Sequence, residues 1–446
     1  MLKTLSIRPL YSVLLCAFMA LTGCNKDSAS PAESAKNAVP TTSSVPLRLW
    51  IVGQVSDASL VERAWLTGSD QKLEIRVLTV AEFLAEKSCN CDVTVFPARL
   101  LGEMIDRKWI NKLPSSLTAP DENGATTPAA WAHQATYGGD IWAVSLGASI
   151  PVTVVSGTAP EAIANAADWD TLLKLLALEA PKTQAPQKID IAKLDQAALV
   201  DRFFAIAGGL TQRSPDYGLL FDLQKMRPRL TEPEFVRAAE ILLMMSQQAS
   251  GSPATLESVV GDSSQAWSWI NSQAQPAMAV VAPALLDSAA MKLTGAKAIR
   301  VPSQNTGWNT GSGLLASLSA SCRQSARATE LLQWLRLSET RQSLSPLIVG
   351  VEAATPAADS GSVVWQAKNL ANEQAGNAKI PSELRLPRAE EYRNVLAEHL
   401  VSVLSGEKPV ADALSEASAA WQVITETRGR ELQRHDYEQG LGLIRN

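Results

Sequence analysis

The chain has 446 residues, 46% of them apolar and 19% charged, with a formal net charge of −5. That length exceeds the roughly 250–300 residues at which a single hydrophobic core stops growing, so two lobes are expected. A weakly acidic chain, with 40 basic against 45 acidic side chains, excludes electrostatic capture of nucleic acid as its main activity.

Residues 1–23 have a cationic start (Lys3, Arg8), an apolar run from Tyr11 to Ala20, and then Leu21-Thr22-Gly23-Cys24. This is the order of a secretory signal, and Leu-Thr-Gly-Cys resembles the lipobox of bacterial lipoproteins, which implies acylation of Cys24. The run is short for a spanning helix, which needs about 20 apolar residues. From residue 24 to 46 the chain is Asn, Lys, Ser, Ala, Pro and Thr with almost no apolar bulk, so it reads as a disordered tether.

Leu47 to Gly53 is a strand ending at a glycine, and Ser56 or Asp57 caps a short helix running to Leu66. Lys72 to Leu78 and Asp92 to Phe96 are further strands, and Pro97-Ala98-Arg99 turns into a helix from Leu100 to Lys108. This alternation indicates a parallel, doubly wound sheet. Tyr137-Gly-Gly-Asp140 is a turn between short β-runs, the second of which continues through Gly147 and Pro151, residues that interrupt an ordinary central strand.

Asp168 caps a helix from Trp169 to Leu178. A second helix spans Leu194 to Ala207, with Gly208-Gly209 as its stop. Thr231-Glu-Pro-Glu234 starts a helix to about Met245, and Gln265 to Ser272 is a short helix. Pro276 to Pro283, Ala298 to Pro302 and Leu314 to Ser319 are strands, the last two flanking a Gly/Asn/Thr loop that contains Trp308. Ala326 to Leu337 is helical, residues 351–380 read as a long irregular connection, and Ala389 to Leu404 and Val410 to Arg428 are helices before a polar tail.

The order of these pieces resembles the family 1 extracellular solute-binding proteins of ABC importers, the group that includes maltose-binding-like proteins. The residues that carry it are Asp92-Val-Thr-Val-Phe-Pro97 with Leu101-Gly102-Glu103 and Trp109 to Leu113, Tyr137 to Gly147, and Asp168-Trp169-Asp170. They continue with Phe204 to Gly209, Ala277 to Val280, Ala413-Leu414, Trp421, Gly429 and Tyr437. The resemblance implies a two-lobed periplasmic-binding-protein fold of type II, α/β, each lobe a mainly parallel sheet flanked by helices and joined to the other by crossover hinge strands. Lobe 1 would take residues 47–146 and 312–350, and lobe 2 residues 147–311 and 351–446. Two neighbouring antiparallel strands of that lobe 1 would bring Cys322 to Cys89 or Cys91, within reach of a disulfide.

The implied function is capture of a carbohydrate or similar polar solute by a monomer, anchored through Cys24 on the periplasmic face of the envelope, which hands the solute to a membrane permease. Open α/β sheets bind ligand beyond the carboxyl ends of their strands, so Gln54 and Arg99 are candidates, with Tyr137, Ser145 and Ser149 near the first crossover and Trp308 and Asn309 before the return. Gly147, Pro151, Gly311 and Gly313 are the candidate hinge residues, with Gly147 the pivot. For Arg99, a pairing with a helix carboxylate such as Glu103 is the competing expectation. Glu390 and Glu391 read as solvated helix-surface acids, and Trp308 is the one tryptophan without an obvious packing role.

Aromatic residues often found in sugar-binding relatives after the first strand and after Ala277 to Val281 are missing here. An envelope scaffold that kept the fold without transport is therefore the alternative. No catalytic motif is present: there is no Gly-x-Ser-x-Gly, no phosphate-cradling Gly-x-x-x-x-Gly-Lys-Ser/Thr and no His-Glu-x-x-His. Cys89-Asn-Cys91 with His133, His399 and His435 gives no metal-ligand spacing, and no cofactor is expected.

Overall fold

Why the first strand lies inside a sheet rather than at its edge is visible in its composition. Leu-Arg-Leu-Trp-Ile-Val is a nearly unbroken apolar run, as strands covered on both faces require. In the computed structural model this strand, β1 (Leu47–Val52), pairs in parallel with β2 (Leu73–Leu78) and β3 (Val93–Pro97). The structure describes residues 45–117, 127–156, 163, 166, 168–176, 194–211, 219–247, 263–271, 277–285, 296–302, 308–352, 362–376 and 384–444. The leader, Cys24 and most of the tether fall outside them.

Between these strands run α1 (Ala58–Leu66), N-capped by Asp57, and α2 (Val80–Ala85), where Thr79 and Glu82 form a capping box. After β3 the chain makes a 3₁₀ turn through Ala98–Leu100 and enters α3 (Leu101–Asp106). Next come α4 (Ala129–Gln134), the hairpin β4 (Thr136–Tyr137) and β5 (Asp140–Ile141), then β6 (Val144–Ser145). Gly138 and Gly139 both have positive φ, as a tight two-residue turn demands.

The chain then leaves the first sheet for β7 (Val152–Val155), α5 (Trp169–Leu175), α6 (Gln196–Leu210), the short pair β8 (Phe221–Asp222) and β9 (Arg227–Pro228), α7 (Pro233–Gln247), α8 (Ser263–Asn271), β10 (Met278–Val281) and β11 (Lys297–Arg300). It returns as β12 (Leu314–Leu318), α9 (Ser325–Arg336) and α10 (Ser338–Leu344). It departs again for α11 (Val363–Ala375), α12 (Ala389–Leu404), α13 (Val410–Arg428) and α14 (Arg430–Leu441).

The first sheet has the order β2-β1-β3-β12-β6, with β12 antiparallel to both β3 and β6. Its two faces carry separate cores, one around Leu49, Val61, Trp65 and Leu332, the other around Trp50, Phe83, Phe96 and Trp109. The second sheet, β10-β7-β11, is antiparallel throughout its described strands rather than mainly parallel. Its lobe is mostly helical, and one core joins the sheet to α6, α7, α12 and α13. Within it Phe221 meets Tyr392, Trp421 and Tyr437 at ring separations of 5.6, 5.3 and 5.2 Å.

Three sequence expectations differ here. Gly208 and Gly209 lie inside α6, not beyond its end, because a Cβ on Gly208 would sit 2.2 Å from the Trp308 ring; the glycine serves close packing. Residues 351–380 contain α11, and the polar tail contains α14. Among the described residues, no helix is long and apolar enough to cross a membrane, and no cluster of metal-ligating side chains occurs.

Candidate functional site: the crevice between the lobes

The chain passes between the sheets around Leu146–Pro151, Thr310–Gly313 and Gly350–Glu352, and these three crossings lie side by side. Leu146 N–H donates to Leu314 O (2.9 Å), Thr310 N–H to Ser149 O (3.0 Å), and Glu352 N–H to Leu146 O (2.9 Å). The packing is tight enough to dictate glycine. A Cβ at Gly147 would lie 2.7 Å from Gly350 O, and one at Gly313 would lie 2.4 Å from Gly147 O. Of the candidate hinge glycines, only Gly311 has a positive φ, +78°. The requirement for glycine at 147 is therefore close backbone approach, not unusual torsion. Pro151 is buried just before β7.

Gln134, at the end of α4 and fully buried, ties two crossings together. Its Nε2 donates to Ser145 Oγ and to the Gly147 carbonyl, both at 2.6 Å, and its Oε1 accepts from Asn309 Nδ2 at 2.9 Å. Ser149 Oγ lies within hydrogen-bond distance of Thr310 Oγ1, 2.8 Å away. Four of the expected site residues or their neighbours thus converge, but their polar groups satisfy one another.

Beside the crossings lies a buried ionic cluster. Arg99, presented by the turn after β3, ion-pairs with Glu390 in the first turn of α12 and donates to Ser312 Oγ (3.1 Å). Arg393, one turn along α12, pairs with Asp201 of α6, which also accepts from Thr310 Oγ1 (3.0 Å) and Ser312 Oγ (2.5 Å). Burial works against all these charges. Even so, Glu390 and Asp201 raise the Arg99 guanidinium above its ordinary value, while Arg99 and Arg393 hold the Glu390 carboxyl below the usual carboxylate range. Glu390 also gains from its place at a helix N-terminus. Arg99 therefore pairs with Glu390 and not with Glu103, which instead binds Arg107 and the Arg388 N–H, and Glu390 is no solvated surface acid.

The other candidates are placed as follows. Trp308 is buried and stacks on Phe204, with centroids 5.8 Å apart and planes 24° apart, so it does have a packing role. Tyr137 is buried, donates to the Asp436 carbonyl (2.7 Å), and has its hydroxyl pKa raised by that burial. Gln54 is exposed at the end of β1, its carbonyl accepting from Val349 N–H (3.2 Å). Cys322 is not disulfide-bonded to Cys89 or Cys91: all three are free, and the Cys322 thiol lies beside the Asp92 carboxylate.

The lobes meet further out as well. Arg428 of α13 pairs with Asp106 (2.8 Å), and Arg385 donates to the carbonyls of His133, Gln134 and Thr136. A Cβ on Gly102 would stand 2.1 Å from the Arg385 carbonyl. A small cavity within the second lobe, lined by Pro151, Asp201, Arg202, Ser263 and Val281 among others, is about 20 Å³, room for about one water. A larger one of about 130 Å³ lies in the first lobe, between Trp131, Thr136, Ser145, Arg336 and Arg341.

No family model matches the sequence, and no curated protein matches it. Solved structures do. An ABC transporter solute-binding protein from Agrobacterium radiobacter K84, in complex with ribitol, superposes with a TM-score of 0.61 at 15% identity, covering 85% of this chain and 99% of that one. The sugar-binding protein MalE from Xanthomonas citri gives 0.59 at 12% identity, over 87% and 100% of the two chains. Maltose-bound MalE3 from T. maritima gives 0.58 at 12%, over 85% and 99%. The chain has the two-lobed fold of maltose-binding-type ABC solute-binding proteins.

Proposed function

We propose that this chain is a lipid-anchored, extracytoplasmic solute-binding protein of an ABC importer, which captures a carbohydrate or similar polar organic solute by closure of its two lobes. The observation that carries the reading is the convergence of polar groups from both lobes at the crossings: Arg99 from one side, and Asp201, Glu390 and Arg393 from the other. Neighbours of the same fold hold ribitol and maltose. Lobe 1 comprises residues 47–146 and 312–350, and lobe 2 residues 147–311 and 351–446. Cys24 carries the lipid, and a membrane permease receives the solute.

Because Arg99 of one lobe is paired with Glu390 of the other, entry of a solute between them requires Arg99 to leave Glu390. A polyol has the chemistry to replace that pair, because its hydroxyls donate to the carboxylate and accept from the guanidinium. Contacts made only in the closed form shift the open–closed equilibrium, and the closed form engages the permease.

The self-satisfied crevice favours a second reading, an envelope scaffold that is closed without any solute. Calorimetric titration with polyols, maltose and maltodextrins, paired with solution scattering, separates the two. Binding accompanied by compaction supports capture. A body already compact, unchanged by every solute in the panel, would leave the scaffold.

A further inference from the structure

Cys89 and Cys91 sit in the turn between α2 and β3, away from the crossings. Their side chains are buried, at 3% and 0% exposure, and their Sγ atoms are 3.3 Å apart, one thiol donating to the other. The turn is held on both sides. Ser319 Oγ donates to the Cys89 carbonyl (3.0 Å), as does Ser321 Oγ, which also lies 3.2 Å from the Cys91 carbonyl. The next residue, Asp92, accepts from Arg48 N–H (2.9 Å), the Arg48 guanidinium (3.1 Å) and Arg323 N–H (3.1 Å). Two sulfurs already in contact within a clamped turn need only a small side-chain shift to reach the 2.03–2.05 Å or so of a bond. The third thiol, Cys322, is directed to Asp92 instead.

We propose that Cys89 and Cys91 are a redox pair that closes to a disulfide within this turn by thiol–disulfide exchange with a small disulfide such as oxidised glutathione, leaving Cys322 reduced. Cys89 is the entry point. The hydrogen bond from Cys91 holds its thiol below the ordinary value, whereas burial pushes Cys91 well above it. The Cys89 thiolate attacks one sulfur of oxidised glutathione, forming a mixed disulfide and expelling one glutathione thiolate. Cys91 then loses its proton to solvent, and its sulfur attacks Cys89 Sγ, expelling the second thiolate. Two protein thiols are oxidised, one glutathione disulfide is reduced to two thiols, and two protons are transferred. Because both sulfurs are buried, exchange proceeds during folding or when the turn opens. The proposal is independent of any solute.

The test uses the full-length chain equilibrated in glutathione buffers graded from reduced to oxidised, acid-quenched, unfolded, alkylated and digested with trypsin. Ser88–Arg99 is one tryptic peptide with both cysteines, and Val301–Arg323 carries Cys322. The expected result is replacement of the doubly alkylated Ser88–Arg99 peptide by an unalkylated one lighter by two hydrogens, with Cys322 alkylated throughout. In Cys91→Ser, Cys89 should instead accumulate one glutathione adduct. Both cysteines staying alkylated in the most oxidised buffer, or Cys322 cross-linked to either, overturns the pair. Absence of the adduct in Cys91→Ser overturns Cys89 as the entry point.

Discussion

Arg99 and Glu390 are 291 positions apart in sequence, yet each is the main neutraliser of the other across the crevice. Removing one partner of a buried pair leaves an uncompensated charge, at a cost of about 3–5 kcal/mol. Arg99→Met should therefore lower the urea midpoint sharply, and Arg99→Met with Glu390→Leu should recover most of the loss. Arg99 is legible in the sequence as a residue following a strand. Its partner is not, because two adjacent glutamates at a helix start look alike until the tertiary fold buries one of them.

A second residue of this kind is Glu352, at the third crossing, where burial raises its carboxyl from the ordinary 4.5 to about 7, against the pull of Ala148 N–H, Lys368 and Arg341. The folded state then holds a proton that the unfolded state releases. Stability from this group is full below about pH 4.5 and is lost as pH rises to about 7, by on the order of 3 kcal/mol. Denaturant unfolding at steps between pH 5 and 8 should show that decline, and Glu352→Gln should flatten it. A wild-type profile that rises over the interval would contradict the assignment.

At the scale of elements, α12 and α13 run over the residues that their periodicity indicates, Ala389–Leu404 and Val410–Arg428, because their apolar stripes face a common core. α14 carries no such stripe: its buried positions are Gln433, Asp436, Tyr437, Gln439 and Gly440, of which only the tyrosine is a large apolar side chain. The glycines of α6 mislead in another way, since a Gly-Gly pair commonly ends a helix and nothing local reveals the Trp308 ring lying against Gly208. Gly208→Ala should destabilise by about 1–3 kcal/mol through that contact. Combined with Trp308→Leu it should cost less than the two single changes added together, which unfolding of the four proteins in a double-mutant cycle will read.

At the largest scale, ion pairs such as Arg99 with Glu390 and Arg428 with Asp106 hold the two lobes together. Breaking the Arg99–Glu390 pair should bias the lobes apart, so solution scattering of Arg99→Met should give a larger radius of gyration than the parent under native conditions. An unchanged radius in a variant that is still folded would mean that the outer contacts, Arg428 with Asp106 and Arg385 with the α4 carbonyls, hold the lobes unaided. The two-lobed architecture is legible from chain length and from the family resemblance that the order of elements carries, whereas the contents of the crevice require the fold.

The buried Gln134 amide bears on how such a body can move. One side chain grips Ser145 and Gly147 on the outgoing strand and Asn309 on the returning one, so neither strand can bend without carrying the other. It works as a spacer between two pins of a door hinge: sliding one strand past the other would shear all three hydrogen bonds at once.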